Sequence, residues 1–171
     1  MDRCVTQKAV QIHSPDPFEV LLMIIVLDNI RVDGVEEIIP NMPQGDTWFD
    51  FLQHPCIDEL IKIASKYFDL NGAIGYEMHK NIIGPKYHHD KDEKLFHETG
   101  KLSFPLCSIV YYPKIENMQG GDLVFDNLML MPIPNRFVAF SSHLMHSVND
   151  HIGTRISIGI NPWLEKPTAY R

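Results

Sequence analysis

Beyond residue 73 the chain consists of short runs of β-branched and aromatic residues broken by Gly, Pro, Asn and Asp. No other feature restricts the fold as strongly. "SIVYY" at 108–112, "GDLVF" at 121–125, "RFVAF" at 136–140 and "RISIGI" at 155–160 are the clearest of these runs. Their length and their turn-forming boundaries predict an all-β sandwich or barrel. Within the last run, Arg155, Ser157 and Gly159 fall on one face of an extended chain, and Ile156, Ile158 and Ile160 on the other.

The preceding residues read differently. In "IDELIKIASKYF", apolar side chains recur at helical spacing and predict an amphipathic helix over 57–68, with Asn71-Gly72 as its stop. A shorter helix is expected over 35–39, between Asp33-Gly34 and the breakers Pro40 and Pro43. "VLLMIIVL", Val20 to Leu27, falls short of the roughly 20 residues that cross a bilayer and reads as a buried strand or short helix. The first residues lack the basic-then-apolar pattern of a secretory signal. With 44% apolar and 22% charged residues in 171, the expectation is one globular domain over 1–171, residues 1–75 giving N-terminal helical support and 76–165 a β core. Cys4, Cys56 and Cys107 are an odd number without a CxxC pair, which points to free thiols in a reducing, cytoplasmic setting. The formal charge of −7 supplies no basic stripe for phosphates, which argues against a nucleic-acid partner; no membrane partner is expected either.

Chemistry enters with "YHHDKD" at 87–92. In an extended segment His88 and Asp90 project together while His89 points away, so the pair offers two metal ligands. A third is available in "SSHLMHSVNDHIGTR", from His143, His146 or His151. Two histidines and one carboxylate on one face of a metal leave positions open opposite, the arrangement of non-haem Fe(II) oxygenases. Arg155 follows on an adjacent strand, and its planar fork suits a carboxylate-bearing co-substrate.

Taken in order, HxD, "IVYYPK", "GGDLVF" and "HSVNDHIGTRIS" resemble the Fe(II)/2-oxoglutarate dioxygenase superfamily and, within it, the prolyl hydroxylase-like branch, over residues 76 to 163. The resemblance implies that His88, Asp90 and His146 are iron ligands. It implies that Arg155 pairs with the distal carboxylate of 2-oxoglutarate, that Tyr112 hydrogen-bonds the same group, and that Ser157 is a further contact. Gly120-Gly121 resemble the glycine pair that precedes an inward strand. The implied fold is mainly β, a double-stranded β-helix or cupin-like jelly roll with N-terminal supporting helices. Ser108, Val110, Tyr112, Arg155 and Ser157 would line its pocket, and the helix at 57–68 would pack outside.

The implied activity is hydroxylation of an unactivated C–H bond of a prolyl residue, free amino acid or other small metabolite. 2-Oxoglutarate and O2 would become succinate and CO2, with ascorbate as a supporting reductant. The competing reading is a non-oxidative metal-binding cupin, an isomerase or binding module, which has no need of Arg155 and Tyr112 together. An alkylated-nucleic-acid demethylase would carry a second arginine six positions after the first, where this chain has Asn161. Singly, each residue has a plainer reading, His88 and Asp90 as a solvated turn and Arg155 as a strand residue facing water. His79, His89, His97, His143 and His151 are left with such readings, and "HHDKDEK" with that of a solvated loop at the pocket mouth.

Overall fold

The computed structural model describes residues 7–12 and 22–171. Cys4, His13 and the first two residues of "VLLMIIVL" lie outside them. The strands are β1 (Gln7–Ile12), β2 (Leu22–Leu27), β3 (Thr47–Asp50), β4 (Gly75–Asn81), β5 (Ser108–Gly120), β6 (Leu123–Phe125), β7 (Leu128–Leu130), β8 (Phe137–Phe140), β9 (Ser147–Val148) and β10 (His151–Trp163). The α-helices are α1 (Val35–Ile38), α2 (Pro55–Ala64) and α3 (Glu93–Thr99).

The strands form a seven-stranded sheet in the order β1-β2-β8-β5-β10-β4-β3 and a three-stranded sheet in the order β7-β6-β9. Every neighbouring pair is antiparallel. The architecture is the expected jelly roll. The period-two alternation of β5 and β10 sorts their side chains onto two faces. Ile109, Tyr111, Ile158 and Ile160 pack with Ile57, Leu60, Ile61 and Ala64 of α2, so the helix covers the outer face of the large sheet. Tyr112, Val138 and Phe140 face the other way, against Leu123 and Phe125 of the small sheet.

Three local features differ from the sequence reading. Helix α2 ends at Ala64, short of residue 68, because the next amides close tight turns: Lys66 donates to Ile63 and Tyr67 to Ala64. Residues 1–75, expected as helical support, also contribute β1, β2 and β3 to the large sheet, since "LMIIVL" has two neighbours to pair with. The run "HHDKDEK" is not all loop. Asp92 caps α3 by accepting from the Leu95 amide at 2.9 Å, and the helix begins at Glu93.

A bulge in β5 positions the inner face. Ile156 pairs with Lys114 and Ile158 with Tyr111, so Ser157 alone opposes Tyr112 and Pro113. Proline has no N–H for the ladder and is tolerated where pairing breaks. The extra residue places both Tyr112 and Ile115 on the inner side.

The outer core sets much of the stability. Leu60→Ala should lower unfolding free energy by about 2–5 kcal/mol in urea titrations, whereas Glu59→Ala, at an exposed position of the same helix, should stay within about 0.5 kcal/mol. Equal effects would contradict the assigned helix face.

Candidate functional site

His88 and His146 are joined as an isolated antiparallel bridge, each amide donating to the other's carbonyl at 2.9 Å. The bridge brings the HxD segment against the segment leading into β9. Asp90 completes the group. His88 Nε2 lies 3.4 Å from one Asp90 oxygen and His146 Nε2 3.7 Å from the other. One ligand atom from each of the three residues lies within 4.8 Å of the others, close enough to share a metal ion.

Local hydrogen bonds fix which nitrogen each ring offers. His88 Nδ1 contacts the Lys86 carbonyl at 2.6 Å, and His146 Nδ1 the Leu144 carbonyl at 3.1 Å. A carbonyl only accepts, so each Nδ1–H donates to its carbonyl and each Nε2 is left facing Asp90, the atom that would ligate a shared cation. Such carbonyl partners are what orient metal-ligating histidines in known sites. Burial pushes the Asp90 carboxyl up, but the contact with His88, the neighbouring His146 and the Ser108 hydroxyl outweigh it, bringing it down to about 2. Burial holds His146 below the ordinary imidazole range. The group thus holds an ionised carboxylate and, at His146, an imidazole held toward its neutral form. At His88 burial acts the same way, but contact with Asp90 outweighs it and raises the imidazole, whose proton a cation would displace.

The triad opens into a cavity of roughly 490 Å³ that also receives Arg155 and Ser157. Arg155 is 1% exposed, and its Nη1 donates to Ser157 Oγ at 2.9 Å. Its Nε has no partner, and among the described residues no carboxylate pairs with it. The guanidinium lies 5.3 Å from the centre of the Tyr112 ring, whose buried hydroxyl is also without a partner. A buried guanidinium without a counter-ion is costly, and a carboxylate entering the cavity would satisfy it. Gly121 makes room, since a Cβ there would stand 3.3 Å from Arg155 Cδ and far closer to Met118 Cε.

The expected site residues therefore divide as follows. His88, Asp90, His146, Arg155 and Ser157 line the cavity, with Val110. Ser108 and Tyr112 sit behind it, one beside Asp90 and the other against Arg155. His89 also reaches the cavity but turns its ring edge-on to Phe104, with centres 5.9 Å apart. Tyr76 points to the outer core, stacked on Phe49, and does not reach the cavity.

Sequence reasoning missed a second set of polar residues: Glu77, His79 and Asn81 of β4, Asn161 of β10, and Asp46 ahead of β3. The signal was present in "YEMHKN", where buried Tyr76 and Met78 alternate with Glu77 and His79. His79 meets Asp46 at 2.7 Å and its ring lies over Gly159, where a Cβ would come within 2.5 Å of it.

No family model and no curated protein matches the chain. Among solved structures it is similar to a Pseudomonas putida prolyl-4-hydroxylase at 20% identity and TM-score 0.47, covering 71% of this chain and 73% of that one. It is also similar to a Trichoplax adhaerens prolyl hydroxylase in complex with a hypoxia inducible factor oxygen degradation domain peptide fragment, at 19% identity and TM-score 0.46, over 76% and 68%. A Burkholderia pseudomallei oxidoreductase of the 2OG-Fe(II) oxygenase family is similar at 11% identity and TM-score 0.45, over 86% and 72%.

His88→Ala, Asp90→Ala and His146→Ala should each weaken Fe(II) binding in anaerobic titrations by more than the roughly 10- to 100-fold typical of losing a residue that only supports a ligand. His89→Ala should change it little. Undiminished binding in any triad variant would remove that residue from the metal site.

Proposed function

We propose that this chain is an Fe(II)- and 2-oxoglutarate-dependent dioxygenase, an oxidoreductase that hydroxylates an unactivated C–H bond of a small-molecule or peptidyl substrate. The carrying observation is one cavity that holds both a His/Asp/His group and a buried guanidinium without a counter-ion. A metal site alone would fit a non-oxidative cupin as well. Arg155 favours the oxygenase reading, because a metal-binding module gains nothing from an unpaired buried charge beside its metal.

In this reading His88, Asp90 and His146 hold Fe(II), and Arg155 takes the distal carboxylate of 2-oxoglutarate in its fork. When bound, iron and co-substrate supply the oxidising chemistry, with succinate and CO2 as the co-products of hydroxylation. The protein's own residues supply placement. The Lys86 and Leu144 carbonyls keep the imidazoles in the ligating tautomer. Ser157 holds one arm of Arg155, leaving the rest of the guanidinium for the anion. Tyr112 has its hydroxyl free to donate a second hydrogen bond to that carboxylate. Leu123 and Val148 of the small sheet give the cavity an apolar stretch of wall that would help keep water from the reacting centre.

The position expected to be arginine in a nucleic-acid demethylase is Asn161, which leaves amino acids, peptides and small metabolites as substrate classes. We place the whole chain in one catalytic unit. Among the described residues no helix is long and apolar enough to cross a membrane. Cys56 and Cys107 are buried free thiols, in keeping with a reducing cytoplasmic setting.

The test is succinate formation under air with Fe(II) and 2-oxoglutarate. Removing one partner of a buried charge pair costs about 3–5 kcal/mol, and losing a hydrogen bond to a charged group about 1.5–3 kcal/mol. Arg155→Ala should therefore raise the apparent constant for 2-oxoglutarate at least about a hundredfold, and Tyr112→Phe about tenfold. Fe(II) affinity should stay nearly constant in both. A normal constant in Arg155→Ala would put the cupin reading ahead.

A further inference from the structure

The cavity has a second polar end that the proposed chemistry leaves unused. Strands β10 and β4 pair Ser157 with Asn81, Gly159 with His79 and Asn161 with Glu77. These pairs run along the cavity floor away from Arg155, and the six residue steps from Arg155 to Asn161 span roughly 20 Å of strand. Charges along the wall are mostly spoken for. Asp46 meets His79 at 2.7 Å, Lys91 meets Glu93 at 2.5 Å and Lys94 meets Glu98 at 3.9 Å. Asp92 accepts from Leu95 and Thr168.

Glu77 remains. Trp163 Nε1 donates to its Oε2 at 2.7 Å and the Tyr170 hydroxyl is a second donor to the carboxylate, but no cation forms an ion pair with it among the described residues. Burial and the nearby Asp46 push its carboxyl up to about 7. Its strand partner Asn161 is 8% exposed, lines the same cavity, and its side chain has no hydrogen-bond partner among the described residues. A side-chain amide on a cavity wall that bonds no protein group is open to whatever enters the cavity.

We infer that this end of the cavity takes a protonated amine, with Glu77 as its counter-ion and the Asn161 side-chain carbonyl as a second acceptor. The inference names the substrate class for the oxygenase reading above and rests on that reading for the reaction itself. An ammonium fits better than a guanidinium. Trp163 and Tyr170 already donate to Glu77, so a two-point fork has no free pair of acceptors, whereas a compact ammonium can use one remaining carboxylate lone pair and the amide together. One carboxylate and one amide are too few for a second metal. The amine would come from a free amino acid or other small amine, or from a peptide N-terminus.

The full chain, loaded with zinc in place of iron and with 2-oxoglutarate, is titrated by ligand-observed NMR with two matched sets. One is free L-amino acids and their N-acetyl derivatives; the other is proline-containing tripeptides with free and with acetylated N-termini. The free amine should bind at least about tenfold tighter than its acetylated partner in one of the sets, which identifies the source. Glu77→Gln keeps an acceptor for Trp163 and should remove at least about tenfold of that preference, as should Asn161→Leu. Thermal melting checks both variants, and if Glu77→Gln melts early, Asn161→Leu decides. Equal binding of free and acetylated forms, or a preference that survives in the folded variants, overturns the inference. Succinate formation by the unmodified Fe(II) protein is read separately. Succinate without amine preference removes the amine subsite alone, and amine preference lost in Glu77→Gln without succinate removes the oxygenase reading alone.

Discussion

The candidate site depends on two backbone hydrogen bonds. His88 and His146 are far apart in sequence, and neither lies inside a long strand; their reciprocal amide-to-carbonyl bonds hold them side by side. Everything finer follows from that bridge. With the backbones locked, each ring reaches a carbonyl two residues before it, which sets the tautomer and aims both Nε2 atoms at Asp90. The bridge also ties the site to the fold. Leu144 follows the turn after β8, and its amide bonds to Ser141. The β8 strand lies between β2 and β5 within the large sheet.

The second constraint is charge. A jelly roll whose faces are packed with Ile, Phe, Val and Tyr has every reason to exclude an arginine, yet Arg155 is among its most buried side chains. Its cost is moderated by Ser157 and by the face of Tyr112, neither of which neutralises it. The glycines belong to the same arrangement. Gly121 gives Arg155 the space to lie flat, and Gly159 does the same for His79 on the floor. Charges of opposite sign, the buried Arg155 and the half-buried Asp90, thus share one cavity without touching each other, an arrangement suited to a ligand that bridges an anion site and a metal.

Much of this was legible in the sequence, for identifiable reasons. The alternation in "RISIGI" gave the inward face of β10, because period-two burial is a local property of a strand with one polar side. The order of HxD, tyrosine, glycine pair and His-to-Arg segment pointed to a set of residues from which the fold places His88, Asp90, His146, Arg155 and Ser157 around one cavity. Other parts depended on non-local pairing. Whether "LMIIVL" is a strand is decided by β1 and β8, which flank it in space. The end of α2 is set by turns that bring the chain back toward β4. Glu77 and His79 went unread because a histidine and a glutamate on a short strand look like a solvated face; only β10 and the cavity above turn that face inward. Asn161 looked like a missing arginine, and its place on the cavity wall is a three-dimensional property.

The most direct measurement compares two keto acids on the anaerobic Fe(II) protein, 2-oxoglutarate and 2-oxovalerate, which share the chelating end but differ in the distal carboxylate. If Arg155 receives that carboxylate, the visible charge-transfer band should saturate with 2-oxoglutarate at concentrations at least about a hundredfold lower than with 2-oxovalerate. Absence of the band with both, or equal affinity for the two, would contradict the account.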